Sequence, residues 1–473
     1  MTYTQLNSPS FSLLRYRRIA VNDPANEEAM KKGLSPVVAL FAILLALPAV
    51  SSTRFILHAS GAAASDIASR HGLSIQEQVS GHDLSLATAP STVDQNQLVG
   101  EVRTDSAVAA FEPDGQGTLP EVSSTQLTQS TTSILDAVVN RAIVTYFGAS
   151  VPNYYVNQSA TRLIRMGEAQ RTFGAVGFGI VAIIDTGIDP THPAFAGHLI
   201  DGYDFTRNLP GLPSEMADLT QSTTSILDQS TTSILDSNQV VVLNGSVAAI
   251  LSQSTTSILD TTQIPAAFGH GTMVAGIIHL VAPNALILPL KAFNADGTST
   301  TFDIVRAIYY AVDHGAKVIN MSFSMAQPSA ELVRAINYAD KNHVICVSSS
   351  GNSGQETVVY PAAMQNVIGV ASTDGLDQRS LFSNYGTAVA DMAAPGELII
   401  TTYPGSSYAA VSGTSFSAPL VSGTVSLLLQ FKAWGTIRRS DISGALSRTA
   451  PAADELGWGR LDVVQAVSKL ANR

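Results

Sequence analysis

Residues 412–431 read SGTSFSAPLVSGTVSLLLQF. Small residues lead into an apolar run that reads as a helix. Ser415 stands at its start, just after Gly413-Thr414, where the first backbone amides of a helix lack intrahelical partners. Such a place exposes a hydroxyl while nearby amides can face a developing oxyanion, which suits a nucleophile. Pro419 is expected to be tolerated as part of the first turn. An ordinary N-cap serine fits the same stretch, so these residues alone leave both readings open.

Upstream of this helix, apolar runs alternate with amphipathic stretches. Strands are expected at 180–184, 285–290, 317–321, 343–347 and 367–370, and helices at 301–314, 329–341 and 415–432. That alternation predicts an α/β fold with a mostly parallel sheet covered by helices on both faces. Asp185 closes the run IVAIID, at the end of a strand where such sheets place functional groups, although an aspartate there can also cap a turn. His270, in FGHGTMVAGII, is flanked by Gly269 and Gly271, which leave its ring room. Asn352, in SSSGNSG, either caps a turn or donates its amide to an oxyanion.

Each piece is ambiguous, but their order is informative. Aspartate, histidine, asparagine and serine follow one another in the subtilisin order, unlike those of chymotrypsin and the α/β-hydrolases. With DTGID at 185–189, HGTMVAG at 270–276, SGNSG at 350–354 and GTSFSAP at 413–419, the sequence resembles the subtilase family over roughly residues 150–468. NMSFS at 320–324 is similar to the family's substrate-pairing strand, and GWGRLDV at 457–463 to its closing motif. The resemblance implies a subtilisin-like three-layer α/β fold and a serine endopeptidase working through an acyl-enzyme. It makes Asp185, His270 and Ser415 the catalytic triad and Asn352 the oxyanion donor. Ser322, Phe323, Ser324 and Gly351 become substrate-binding residues, for protein or peptide substrates of broad selectivity. No cofactor is required.

The sequence also departs from the family pattern. Asp185 and His270 stand 85 residues apart, and the excess holds three of four copies of QSTTSILD (129–136, 221–228, 229–236 and 253–260). An insertion at about 206–262 accommodates them, since loop-closure cost grows only logarithmically with length. These copies suit exposed loops or short β-like decoration. Ala194 replaces a calcium-ligating aspartate, so the usual strong calcium site is expected to be absent, with room for weaker calcium sites elsewhere. Ser324-Met325 replaces a Gly-Gly pair and should narrow the cleft near the residue preceding the scissile bond.

The peptidase region is expected to span 150–473, preceded by a linker at 115–149 that carries one octamer. An apolar patch lies at 137–147 and a helix-like stretch ends near Arg171. Residues 53–114 alternate strand (54–58), helix (62–72), strand (83–89), helix (93–102) and strand (107–111), with 73–79 able to supply a fourth strand. They resemble the split βαβ inhibitory prodomain of subtilases, which would make the chain's own N-terminal part an intramolecular inhibitor. Residues 1–52 form an N-terminal extension: Lys31-Lys32, the apolar run 37–50 and a small-residue end read as a signal peptide, with Met1 or Met30 as start. Fourteen apolar residues rise only about 21 Å as a helix, so no stable membrane span is expected and a secreted, periplasmic or cell-surface protein is. Cys346 is the single cysteine and sits in an apolar run, which predicts a buried structural thiol. With 26 basic and 37 acidic residues and no basic stripe, nucleic-acid binding is disfavoured. The competing readings are a narrow processing protease and an inactive subtilase-like surface or binding protein with adhesive octamers.

Overall fold

The computed structural model describes residues 52–119, 142–219, 234–235, 240–243, 265, 267–432, 439–446 and 454–471. The expected leader, three of the octamers and most of the copy at 229–236 lie outside the described residues. Among the described residues no helix is long and apolar enough to cross a membrane.

The N-terminal unit runs β1 (Ser52–His58), α1 (Gly61–Arg70), β2 (Ser74–Val79), β3 (Leu84–Pro90), α2 (Gln95–Arg103) and β4 (Ala110–Pro113). Its sheet has the order β2-β3-β1-β4, a split βαβ arrangement. Ser60 and Asp94 cap the two helices, which bury Ile67, Leu98 and Val102 against Phe55, Leu57 and Phe111. The fourth strand is the segment at 74–79. The last strand starts at Ala110 rather than 107, because Asp105 accepts from the Ala107 amide at 3.0 Å and holds that stretch in a turn.

The short strand β5 (Gln116–Thr118) follows. The hairpin β6 (Ile143–Tyr146) and β7 (Ala149–Pro152) and helix α3 (Met166–Phe173) lead to the larger body. There the chain forms β8 (Ile180–Asp185), β9 (Gly202–Asp204), β10 (Leu209–Gly211), β11 (Ile234–Leu235) and β12 (Val240–Val242), then α4 (His270–Val281) and β13 (Leu286–Lys291). Next come β14 (Thr298–Thr300), α5 (Thr301–Asp313), β15 (Ala316–Met321), α6 (Ala330–Lys341), β16 (Ile345–Ser349) and β17 (Val367–Thr373). The chain closes with β18 (Met392–Pro395), β19 (Ile399–Tyr403), β20 (Ser407–Val411), α7 (Thr414–Leu429), α8 (Arg439–Leu446) and α9 (Val463–Ala471).

The main sheet has eight strands in the order β10-β9-β13-β8-β15-β16-β17-β18. All neighbours pair in parallel except the edge strand β10. Strand β8 shows why its sequence is apolar throughout. Val181 and Ile183 face the core built on α4 and α7, while Ala182 and Ile184 face the core built on α5 and α6. The result is the three-layer α/β fold expected from the sequence. A second sheet, β11-β12-β20-β19, carries part of the octamer region: the backbone of β11 lies within the copy at 229–236 and is joined by β12 to the edge of β20.

Candidate active site

Asp185 is the last residue of β8 and His270 the first of α4. His270 Nδ1 donates to Asp185 Oδ1 at 2.8 Å, and both residues are buried. The Thr186 amide donates to the same carboxylate oxygen at 2.8 Å. The two segments meet because Gly271 has no side chain: a Cβ there would lie 2.0 Å from the carbonyl oxygen of Gly187. The hydroxyls of Thr401 and Thr402 donate to the carbonyls of Met273 and Thr272 at 2.6 and 2.8 Å, tying α4 to β19.

Ser415 is the second residue of α7, behind Gly413 at φ 148°, ψ 155°, a backbone conformation essentially reserved for glycine. Pro419 corrects the expectation made for it. It is the sixth helical residue, beyond the first turn, so it deprives the Ser415 carbonyl of its i+4 amide partner. The Ser322 hydroxyl fills that gap, donating to the Ser415 carbonyl at 2.8 Å. Ser322 is in turn held by Asn320 Nδ2 at 3.0 Å, and Ser422 donates to Asn320 Oδ1 at 2.8 Å. The Ser415 hydroxyl donates to the Ser322 carbonyl at 3.2 Å, while His270 Nε2 is buried with no hydrogen-bond partner among the described residues. The ring of His270 lies 5.4 Å from that of Phe416, so the imidazole stands beside the start of α7.

Asn352 closes the set. Its Oδ1 accepts from the amide and the hydroxyl of Thr414 at 2.9 and 2.8 Å, which locks the side-chain amide against the start of α7. Gly351 has φ +94°, and a Cβ there would lie 2.5 Å from Asn384 Nδ2. Asn384, missed in the sequence, holds this loop by donating to the Ser350 carbonyl at 2.9 Å and accepting from Ser353. Phe323 is fully buried against Phe293, while Ser324 presents its backbone to the cleft.

The cleft is filled by the chain itself. Strand β5 pairs antiparallel with β14, and the Leu119 amide donates to the Gly297 carbonyl at 3.0 Å. On the other side Thr118 and Ser324 exchange both backbone hydrogen bonds, at 2.8 and 2.9 Å. Residues 116–119 thus lie as an added strand between two edges. A Cβ on Gly117 would meet Ile304 at 2.6 Å and Met325 and Phe293 at 3.6 Å. Met325 is buried, and it narrows the cleft beside Gly117.

The N-terminal unit is anchored near these edges by two carboxylates at helix starts, where the helix dipole favours negative charge. Glu112 accepts from the Ser329 hydroxyl at 2.5 Å and the Ala330 amide at 2.9 Å at the start of α6. Asp114 accepts from the Phe302 amide at 2.9 Å at the start of α5 and pairs with Arg54. Burial pushes the Asp114 carboxyl above its ordinary range, against the opposing effect of that amide and of Arg54.

Sequence reasoning missed a polar cluster behind Asp185 and His270. Glu215, Lys291, Thr186 and Thr272 are all fully buried there. Lys291 Nζ donates to the carbonyls of Thr186 and Phe293 and to Asp218, at 2.7 to 2.8 Å. Ala194 is fully buried. Cys346 is buried as expected, and burial pushes its thiol up to about 12.

The mostly parallel eight-stranded sheet between two helical layers is a subtilisin-like α/β fold. The Subtilase family model matches residues 179–463, more than half of the chain, and the chain belongs to that family. It is 34% identical over 301 residues to thermitase of Thermoactinomyces vulgaris, covering 61% of this chain and 88% of that protein. It is also 34% identical over 292 residues to the thermophilic serine proteinase of Bacillus sp. (strain AK1), covering 61% of each. The match to Subtilisin Savinase of Lederbergia lenta is 39% over 171 residues, covering 34% of this chain and 63% of that one. The chain thus spans less than two thirds of the length of several relatives. A likeness in fold extends to fervidolysin from Fervidobacterium pennivorans, described as a keratinolytic enzyme related to subtilisin. The TM-score is 0.62 at 20% identity, covering 89% of this chain and 62% of that one.

Proposed function

We propose that this chain hydrolyses peptide bonds with Ser415 as nucleophile, His270 as general base and acid, and Asp185 as the group that orients the imidazole. Asp185 fixes Nδ1–H, so Nε2 is the atom left to take the Ser415 proton as its oxygen attacks a carbonyl. The Ser415 hydroxyl, which donates to the Ser322 carbonyl, would turn towards Nε2. Catalytic hydrogen bonds commonly tighten in this way once substrate is bound. Asn352 and a backbone amide near Ser415 would receive the oxyanion, His270 would protonate the leaving amine, and water would then release the acyl-enzyme. No cofactor enters these steps, and the usual strong calcium site is not part of the proposal.

The observation that carries the reading is the added strand at 116–119, which pairs with Ser324 as an extended substrate would. It supports a zymogen whose N-terminal unit, residues 53–114, inhibits in cis and is removed by self-cleavage. The bond cut in this chain would lie beyond Leu119, the last described residue of that strand. Main-chain pairing favours broad selectivity, while the crowding of Ile304 and Met325 around Gly117 favours a small residue at the position Gly117 occupies. The leader at 31–51 supports export.

The test is intact mass after exposure to a fluorophosphonate, beside Ser415→Ala. One adduct on the wild type and none on the variant, with peptide hydrolysis lost in the variant, is the expected result. No adduct on a folded chain freed of its N-terminal unit would move the weight to a surface or binding role. The same spectrum reads where beyond Leu119 the chain is cut.

A further inference from the structure

Behind the reacting groups, the side chain of Glu215 is fully buried in the short turn Glu215–Asp218, within the segment read from sequence as the start of an insertion. We propose that Glu215 is a positioning residue that clamps the Asp185 and His270 segments together through one carboxylate. The proposal rests on the reading of Asp185, His270 and Ser415 as the triad.

The partners of this carboxylate are divided between the two segments. Oε1 accepts from the hydroxyl of Thr186, the residue after Asp185, and from the amide of Gly271, the residue after His270, at 3.1 Å in the latter case. Oε2 accepts from the hydroxyl of Thr272 at 2.5 Å. The direction of both hydroxyl protons is fixed by what else reaches those oxygens. The Asp189 amide donates to Thr272 Oγ1 at 2.7 Å, so the Thr272 proton is free to point at Glu215. The Gly271 amide likewise reaches Thr186 Oγ1 at 3.0 Å, which turns the Thr186 proton towards the nearby Glu215 rather than towards Asp185 at 3.3 Å. Three donors converge on a group that accepts at every bond, so the arrangement suits a carboxylate rather than a carboxylic acid.

Burial works against that charge and raises the Glu215 pKa, with Asp185 adding to the rise; the two threonine hydroxyls and Lys291 oppose it. A fold gains little net stability by burying a charge, and breaking such a cluster is costly. Here every hydrogen bond of the charge goes to a residue within two positions of a catalytic side chain. Its function is therefore to fix the distance and angle between Asp185 and His270 and to add negative field behind the imidazole. The other charged or titratable groups facing this cluster are Lys291, Asp218 with its partner Arg207, Asp189 and Tyr403.

The experiment uses Glu215→Gln, Thr186→Val and the double variant in the full chain. Hydrolysis of a chromogenic peptide is normalised to sites titrated by the fluorophosphonate, so unfolded material does not count. Each single change is expected to lower kcat per titrated site roughly ten- to hundredfold, as a small misplacement of reacting groups does, with KM nearly unchanged. The double variant should be little worse than the poorer single one, because both break the same clamp. Glu215→Gln should also move the acid limb of kcat/KM to lower pH, since a negative neighbour of the imidazolium is lost. A structural role would lower the number of titratable sites and leave kcat per site and the acid limb where they were; that result overturns the proposal. If Glu215→Gln yields no folded chain, Thr186→Val alone decides, with unchanged kcat per site overturning it. A wild type that takes no probe at Ser415 overturns the triad reading instead, and this proposal with it.

Discussion

His279 should make the folded chain lose stability in mild acid. It lies on α4, nine residues after His270, with its ring 4.7 Å from that of His198 and 6.2 Å from that of Phe195. It is 1% exposed, and neither ring nitrogen has a hydrogen-bond partner. Burial pushes its pKa from the ordinary 6.5 down to about 3, and His198 and His192 push it the same way. Because the folded pKa is depressed, the unfolded chain binds a proton below pH 6.5 while the folded chain refuses it until pH 3. The stability tied to neutral His279 is thus fully present above pH 6.5 and falls away between there and pH 3. The loss is almost nil at pH 7.5 and about 2 kcal/mol at pH 5. The assay is urea unfolding at pH 7.5 and 5.0 in the Ser415→Ala background, which removes self-digestion, with and without His279→Leu. Other titrating groups act in both chains, so the comparison isolates His279 and its coupling to His198 and His192. The parent should lose about 2 kcal/mol more than the leucine variant over this interval. Equal losses in the two chains would refute the argument.

Two further outcomes follow from burial and capping. Cys346, with its thiol pushed up to about 12, should take no iodoacetamide in the native chain at pH 8 and one equivalent after unfolding, as read by intact mass. Labelling of the folded chain would contradict its buried position. Glu112→Ala removes the carboxylate at the start of α6 and should weaken the hold of the cleaved N-terminal unit by about 1–2 kcal/mol, or roughly five- to thirtyfold. The dilution at which the cleaved chain gains activity should fall accordingly, and an unchanged midpoint would rule the cap out as an anchor.

The α/β body was legible because its strands are apolar on both faces, its outer helices α5 and α6 are apolar on one, and α7 is an unbroken small and apolar run. Strand ends were less so. The expected strand at 343–347 begins at Ile345 because His343 takes a left-handed conformation, φ 62°, in the turn that ends α6. The hairpin of β19 and β20 was passed over, although Pro404-Gly405 between two apolar runs is a turn signal. Pro419 was misplaced for a different reason. A proline within a helix is acceptable when another donor serves the carbonyl it strands, and that donor, the Ser322 hydroxyl, comes from the residue just after β15, 93 residues away.

The same distinction runs through the candidate site. Asp185, His270, Asn352 and Ser415 stand out in the sequence as candidates because each sits in a local run of glycines and small residues, which the backbone needs in order to present it. Gly413 and Gly271 show why: one holds a conformation closed to other residues, and the other lets two chain segments touch. Glu215 carries no such local mark. It is one acid in LPGLPSEMADL, and what gives it meaning is the meeting of Thr186, Gly271 and Thr272 around it. Groups that react advertise themselves through the backbone they require. Groups that hold them in place are set by what converges on them in space, and a lone carboxylate 55 residues before the histidine offers nothing local to read.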